Sequence, residues 1–190
     1  AAGMGLDEAE RRQLRLLGEG INYNAYGDDA TDQHISPQQL YGRLSHHAQP
    51  LDALRQDSIG SELDALRRAD LQQALAQDIH IAGSGARWVQ LPDAAWSRRV
   101  IGSLANELAS GAPQQAHAVL MADRTGGHVV SLRAPQSAPS GADELCRRFG
   151  GGGRAGAAGI DHLPAAELAC FVAELAAMRW GEPPRPPVPT

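Results

Sequence analysis

The chain has 190 residues, of which 43% are hydrophobic and 21% charged, with a formal net charge of -5. This is the composition of a folded globular chain of one large or two small domains, and it excludes wholesale disorder. Apolar runs are only a few residues long, and no charged start precedes an apolar stretch, so neither a membrane span nor a secretory signal is expected.

The first 82 residues read as helices joined by turns. Asp7 and Glu10 have capping-box spacing ahead of Leu14 and Leu17, and Gly18 and Gly20 are expected to stop that helix. Residues 21–35 are rich in turn formers. Ser36 caps the next helix, with Pro37 at its first position and Gln39 completing the box. Leu40, Tyr41 and Leu44 are its expected buried stripe, and Pro50 is expected to end the region. A third helix from about Ser58 to Gln77 places Ile59, Leu63, Leu66 and Ala74 at helical spacing.

The pattern changes after Asp78. Arg87–Leu91 reads as a strand, residues 94–110 as a helix with Trp96, Val100, Leu104 and Leu108 on one face, and Ala116–Ala122 as a strand. A Gly-Gly turn follows, and His128–Arg133 returns with Val130 and Leu132 on one face and Ser131 and Arg133 on the other. Ser140 is placed to cap a short helix that has Asp143 and Glu144 in its first turn. After the glycine run 150–153, Asp161-His162 reads as a cap and turn. Pro164 then starts a last helix with Leu168, Phe171, Val172, Leu175 and Met178 buried. The expected fold class is α/β: a small mixed sheet with flanking helices, preceded by a helical N-terminal segment. The expected division is 1–82 helical linking segment, 83–180 α/β domain and 181–190 disordered Pro-rich tail.

Charge follows the same division. Residues 1–82 carry 7 Arg against 13 acids, whereas residues 83–180 carry 9 Arg against 8 acids. All 17 basic residues are arginine. Cys146 and Cys170 are too few for a disulfide framework and lack metal-ligand spacing, which makes a reducing, cytoplasmic setting the default.

Four consecutive glycines permit unusual backbone angles and close approach of a ligand, and successive N–H groups can converge on one anion. Arg154 comes directly after them, Arg147 and Arg148 precede by one helical turn, and 147–160 contains no acid. A flexible linker is the competing reading. Gly151, Gly153 and Gly156 also fit GxGxxG, but a helix rather than a strand precedes them, which disfavours a dinucleotide fold.

The stretch GADELCRRFGGGGRAGAAGI, with VVSLRAP before it, resembles the C-terminal DHH-associated substrate-binding domain of DHH-family phosphoesterases. That domain carries a Ser-x-Arg strand, a short helix ending in Phe, a GGGH loop and then small residues. Ser131 and Arg133 match the strand element. Gly150, Gly151, Gly152 and Gly153 match the loop, and Ala157, Ala158 and Gly159 match the small residues after it. The segment YNAYGDDATDQHISPQQLYGRL is similar to the part that links the catalytic domain to this one in the nano-RNase/pAp phosphatase and exopolyphosphatase-like branch.

The resemblance implies a phosphate-binding site made of these residues and Arg154. It implies hydrolysis of phosphodiester or phosphoanhydride bonds by a metal pair, usually Mn2+, in an N-terminal catalytic domain. The Asp-His-His motif of that domain is not in this sequence, where Asp32-Gln33-His34 and Ser45-His46-His47 come nearest. No catalytic residue, metal ligand or cofactor is therefore assigned to this chain. The implied partners are a nucleotide, short single-stranded nucleic acid or polyphosphate, and the N-terminal catalytic domain; a homodimer is a further expectation. Arg154 stands where the family loop has His, so any proton-transfer role there is lost. Two other readings compete: a non-catalytic nucleotide- or nucleic-acid-binding or regulatory module, and an unrelated helical interaction protein with a glycine linker.

Overall fold

The structure is a computed structural model that describes residues 5–181; the Pro-rich segment 182–190 lies outside the described residues. The chain divides into two compact units, Ala1–Gln73 and Ala74–Thr190.

The first unit is helical. Helix α1 (Glu8–Asn24) opens on a complete capping box: the Asp7 carboxylate accepts from the Glu10 N–H at 2.8 Å, and the Glu10 carboxylate accepts from the Asp7 N–H at 3.1 Å. It does not stop at Gly18 and Gly20 but runs on to Asn24. A Cβ at Gly20 would lie 2.9 Å from the Leu63 Cβ, so this glycine lets two helices approach closely rather than ending one. Helix α2 (Pro37–Ser45) is capped by Ser36 and Gln39 as the sequence predicts. Tyr41 is 74% exposed, because the α2 stripe is set by Leu40 and Leu44, one turn apart, and Tyr41 points away from it. Pro50 does not end the region; it is the first residue of α3 (Pro50–Gln56), where a missing N–H costs nothing. With α4 (Ile59–Leu75), these helices enclose Leu17, Ile35, Leu40, Ile59 and Leu63.

Polar groups pin the irregular segment between α1 and α2. The Asn24 amide donates to the Ile35 carbonyl at 2.7 Å and accepts from its N–H at 3.0 Å. The Asp70 carboxylate receives Tyr23 Oη at 2.8 Å and His34 Nε2 at 2.7 Å. His34 is thus a half-buried structural partner, while His46 is exposed.

The second unit is a six-stranded mixed sheet in the order β1-β2-β3-β4-β6-β5. The strands are β1 (Ile79–Ala82), β2 (Ala86–Leu91), β3 (Ala116–Ala122), β4 (Gly127–Arg133), β5 (Gly152–Arg154) and β6 (Ala157–Pro164). Only the β2–β3 pair is parallel among these, and α5 (Ala95–Gly111) supplies the crossover that a parallel pair needs. Helix α5 lies against β3 and β4 on one face. On the other face, Leu120, Val130, Leu132, Ala158 and Ile160 pack with Leu145 of α6 (Ala142–Arg148) and Phe171 and Leu175 of α7 (Leu168–Ala177).

Three expectations change here. Asp161-His162 is not a turn but part of β6. Pro164 does not start the last helix; it ends β6, and a short 3-10 turn (Ala165–Glu167) intervenes before α7. The N-cap of α6 is Gly141, with φ of 96°, rather than Ser140. Among the described residues no helix is long and apolar enough to cross a membrane.

Candidate anion-binding site

The register of the sheet fixes which side chains share a face. Arg133 of β4 lies opposite Ala157 of β6, which lies opposite Arg154 of β5. One step along the strands, Ser131, Gly159 and Gly152 form a second such row. Directly paired residues point to the same side, as do residues two apart on one strand. Ser131, Arg133, Gly152, Arg154, Ala157 and Gly159 therefore share one face, the same face on which α5 covers β3 and β4. Ala157 alone lies between the two arginines, the next row holds Gly159 and Gly152 beside Ser131, and the exposed Asp161 follows two residues beyond Gly159 on β6. Adjacent strands are about 5 Å apart, so the two arginine backbones are separated by about 10 Å.

The four other expected site residues are placed differently. Gly153 and Ala158 are paired with each other on the opposite side, where Ala158 joins the α6–α7 core. Gly150 and Gly151 close α6. Gly150 has φ of 78°, its N–H donates to Arg147 O at 3.3 Å, and the Gly151 N–H donates to Cys146 O at 2.9 Å. This is the Schellman pattern of a helix C-terminus, so these two amides serve the helix. Four successive amides converging on one anion are not formed.

The glycines of the run are constrained to different degrees. A Cβ at Gly151 would come 2.2 Å from Gly159 O, and one at Gly153, where φ is 140°, would come 2.5 Å from Ala158 Cα. At Gly152 a Cβ would meet nothing within 4 Å, and φ is ordinary. Neither the backbone nor the packing of this unit requires a glycine there. Gly152 lies on edge strand β5, two residues from Arg154 and on the same face, in the row it shares with Gly159 and Ser131.

The arginines separate into two groups. Arg147 is ion-paired with Asp143, and Arg148 with both Glu144 and Glu174 at 2.6 Å. Both belong to α6, so they do not add to the charge of the site. Arg154 is exposed and has no ion pair among the described residues. Arg133 is held by neutral acceptors: its Nε donates to Asn106 Oδ1 at 2.8 Å, and its Nη1 to Ser131 Oγ at 3.2 Å and to Leu132 O at 3.1 Å. Burial, and then the nearby charge of Arg154, depress the Arg133 guanidinium below its ordinary value. Two like charges with no carboxylate between them form a face that an anion would relieve.

Asn106 is the contact that sequence reasoning misses. It stands in α5 between the apolar positions Leu104 and Leu108, with no local signal that ties it to β4. His117 of β3, opposite Arg133, is buried; its Nε2 lies 3.1 Å from Ala112 O, and its Nδ1 has no hydrogen-bond partner among the described residues. Among the described residues no three His, Cys, Asp or Glu side chains are grouped to hold a metal ion.

No protein-family model and no curated protein matches the chain in sequence. Solved structures match it in fold. It is similar to PggH, the pGpG-specific phosphodiesterase of Vibrio cholerae, with a TM-score of 0.54 and 14% identity over 87% of this chain and 57% of that one. It is likewise similar to the DHH domain of a member of a family of ribosomal proteins, with a TM-score of 0.53 and 14% identity over 91% of this chain and 42% of that one. RecJ of Thermus thermophilus, in complex with Mg2+, matches at 22% identity with a TM-score of 0.48 over 87% of this chain and 28% of that one. The neighbours are DHH-family phosphoesterases, and the likeness is one of fold. The chain spans less than two thirds of the length of each of these proteins.

Proposed function

We propose that this chain is the substrate-gripping portion of a DHH-type phosphoesterase. Its α/β portion, residues 83–180, would be the DHH-associated domain and residues 1–82 the helical linking segment. It holds the phosphates of a nucleotide, short oligonucleotide or polyphosphate, while a metal-dependent catalytic domain outside these 190 residues hydrolyses them. Arg133 and Arg154 grip the phosphates, and Ser131, Gly152, Ala157 and Gly159 form the floor. The observation that carries this reading is the pair of guanidinium groups that, among the described residues, have no carboxylate partner and flank a glycine-alanine surface. Recognition is by phosphate rather than by base, because no aromatic side chain occupies the rows that form this face.

A non-catalytic binding or regulatory module is the second reading, and Arg154 favours it. A guanidinium binds phosphate through fixed donors but neither gives nor takes a proton near neutral pH. Both readings share the grip. It is tested by fluorescence anisotropy with a labelled trinucleotide carrying a 5′-phosphate, at several salt concentrations. Binding is expected to weaken with salt, and Arg133→Ala with Arg154→Ala to weaken it by at least about tenfold. Salt-independent binding, or undiminished binding by the double variant, would sink the proposal. An open reading frame encoding Asp-His-His upstream in the same gene separates the enzyme from the binding module.

A further inference from the structure

We infer that Asn106 is a positioning residue whose neutrality sets the strength of the site: it fixes the Arg133 fork while leaving its charge uncompensated. The inference rests on the phosphate-grip reading above. Guanidinium groups only donate, so the Asn106 side chain must turn its oxygen toward Nε, as it does at 2.8 Å. Ser131 Oγ and Leu132 O accept from Nη1. Three acceptors thus occupy Nε and Nη1, and Nη2 has no partner among the described residues.

The contrast with other arginines of the chain gives the arrangement its meaning. Arg43 is tied to Asp57 and Glu62, Arg55 to Glu10, Arg147 to Asp143, and Arg148 to Glu144 and Glu174. At Arg133, where a carboxylate would be the ordinary partner, the structure has an amide, a hydroxyl and a peptide carbonyl. An aspartate at position 106 would be nearly the same shape and would hold the guanidinium at least as firmly. It would also neutralise it, and a phosphate would then compete with a resident carboxylate.

A purely structural clamp and an electrostatic one therefore predict opposite orders for two variants. The labelled 5′-phosphorylated trinucleotide is titrated into wild-type protein, N106A, N106D and R133A at several salt concentrations, and thermal unfolding is followed for each. With N106A, which frees the fork but keeps its charge, binding is expected to weaken three- to tenfold with the salt slope unchanged. With N106D, binding is expected to fall below that of N106A, at least tenfold below wild type. Its salt slope should drop by about 0.7, toward that of R133A, the amount of one phosphate contact on a single strand. The unfolding midpoint of N106D should be no lower than that of N106A. Binding by N106D equal to or tighter than by N106A, or an unchanged slope, overturns the inference. If N106D does not fold, N106A decides, and wild-type affinity in it overturns the inference. Wild-type affinity in R133A instead overturns the phosphate grip itself.

Discussion

At Gly151 a methyl group would come 2.2 Å from a carbonyl oxygen, whereas at the next residue it would meet open space. The two positions therefore respond differently to alanine. Gly151→Ala is expected to destabilise the protein by roughly 1–3 kcal/mol through overpacking. Gly152→Ala should leave the unfolding midpoint unchanged or slightly raised, since the strand loses a flexible residue, yet weaken trinucleotide binding several-fold. Unimpaired binding by a folded Gly152→Ala protein would remove this glycine from the site. His117 offers a second test. Burial, the largest cause, holds its pKa below the ordinary 6.5, against the bond to Ala112 and with the help of Arg87. The unfolded chain thus takes up this proton before the folded one does. The resulting stability is present above about pH 6.5 and is lost as pH falls below it. Urea unfolding at pH 7 and pH 5 should show a smaller loss in His117→Gln than in wild type; equal losses would contradict this. At this scale the alternation on β4 makes the Ser131–Arg133 pair legible in the sequence, and it is confirmed by their 3.2 Å contact. The pairing of Arg147 and Arg148 is also legible, in the four-residue spacing to Asp143 and Glu144, but a count of basic residues overlooks it. Asn106 is not legible, because its partner is 27 residues away on another element.

Among the elements, those with local determinants are the ones the sequence reveals. The capping boxes at Asp7 and Ser36 start α1 and α2, and period-two alternation marks β4. Ser36→Ala is expected to cost about 1 kcal/mol, read as a lower urea midpoint. Elements that depend on distant neighbours are harder to read. Strand β1 is four residues long, exposed at its first three positions, and is defined by its pairing with β2. Gly20 resembles a helix stop until Leu63 is placed against it. The glycine run reads equally as a linker or a site, and only its pairing to β6 makes it a strand. That pairing has a consequence for limited proteolysis. The segment 150–156 should resist a broad-specificity protease as well as the rest of the sheet does. Early cleavage there would show a linker rather than a packed hairpin.

For the whole molecule, composition and element order are enough for the fold class, a small mixed sheet with flanking helices behind a helical segment. The net charge of -5 is a poor guide to ligands, because most acids fall in the first 82 residues and several arginines of the α/β unit are already paired. What distinguishes Arg133 and Arg154 is their placement on one open face. On the function proposed above, this face, rather than the arginine-rich helix beside it, binds phosphate. The most direct measurement is an amide chemical-shift titration of the 15N-labelled protein with the 5′-phosphorylated trinucleotide. The largest shifts are expected on Ser131, Arg133, Gly152, Arg154 and Gly159, with Arg147, Arg148 and the helices of the first unit little changed. Largest shifts on α6 or on the first unit, with β4, β5 and β6 unmoved, would contradict it.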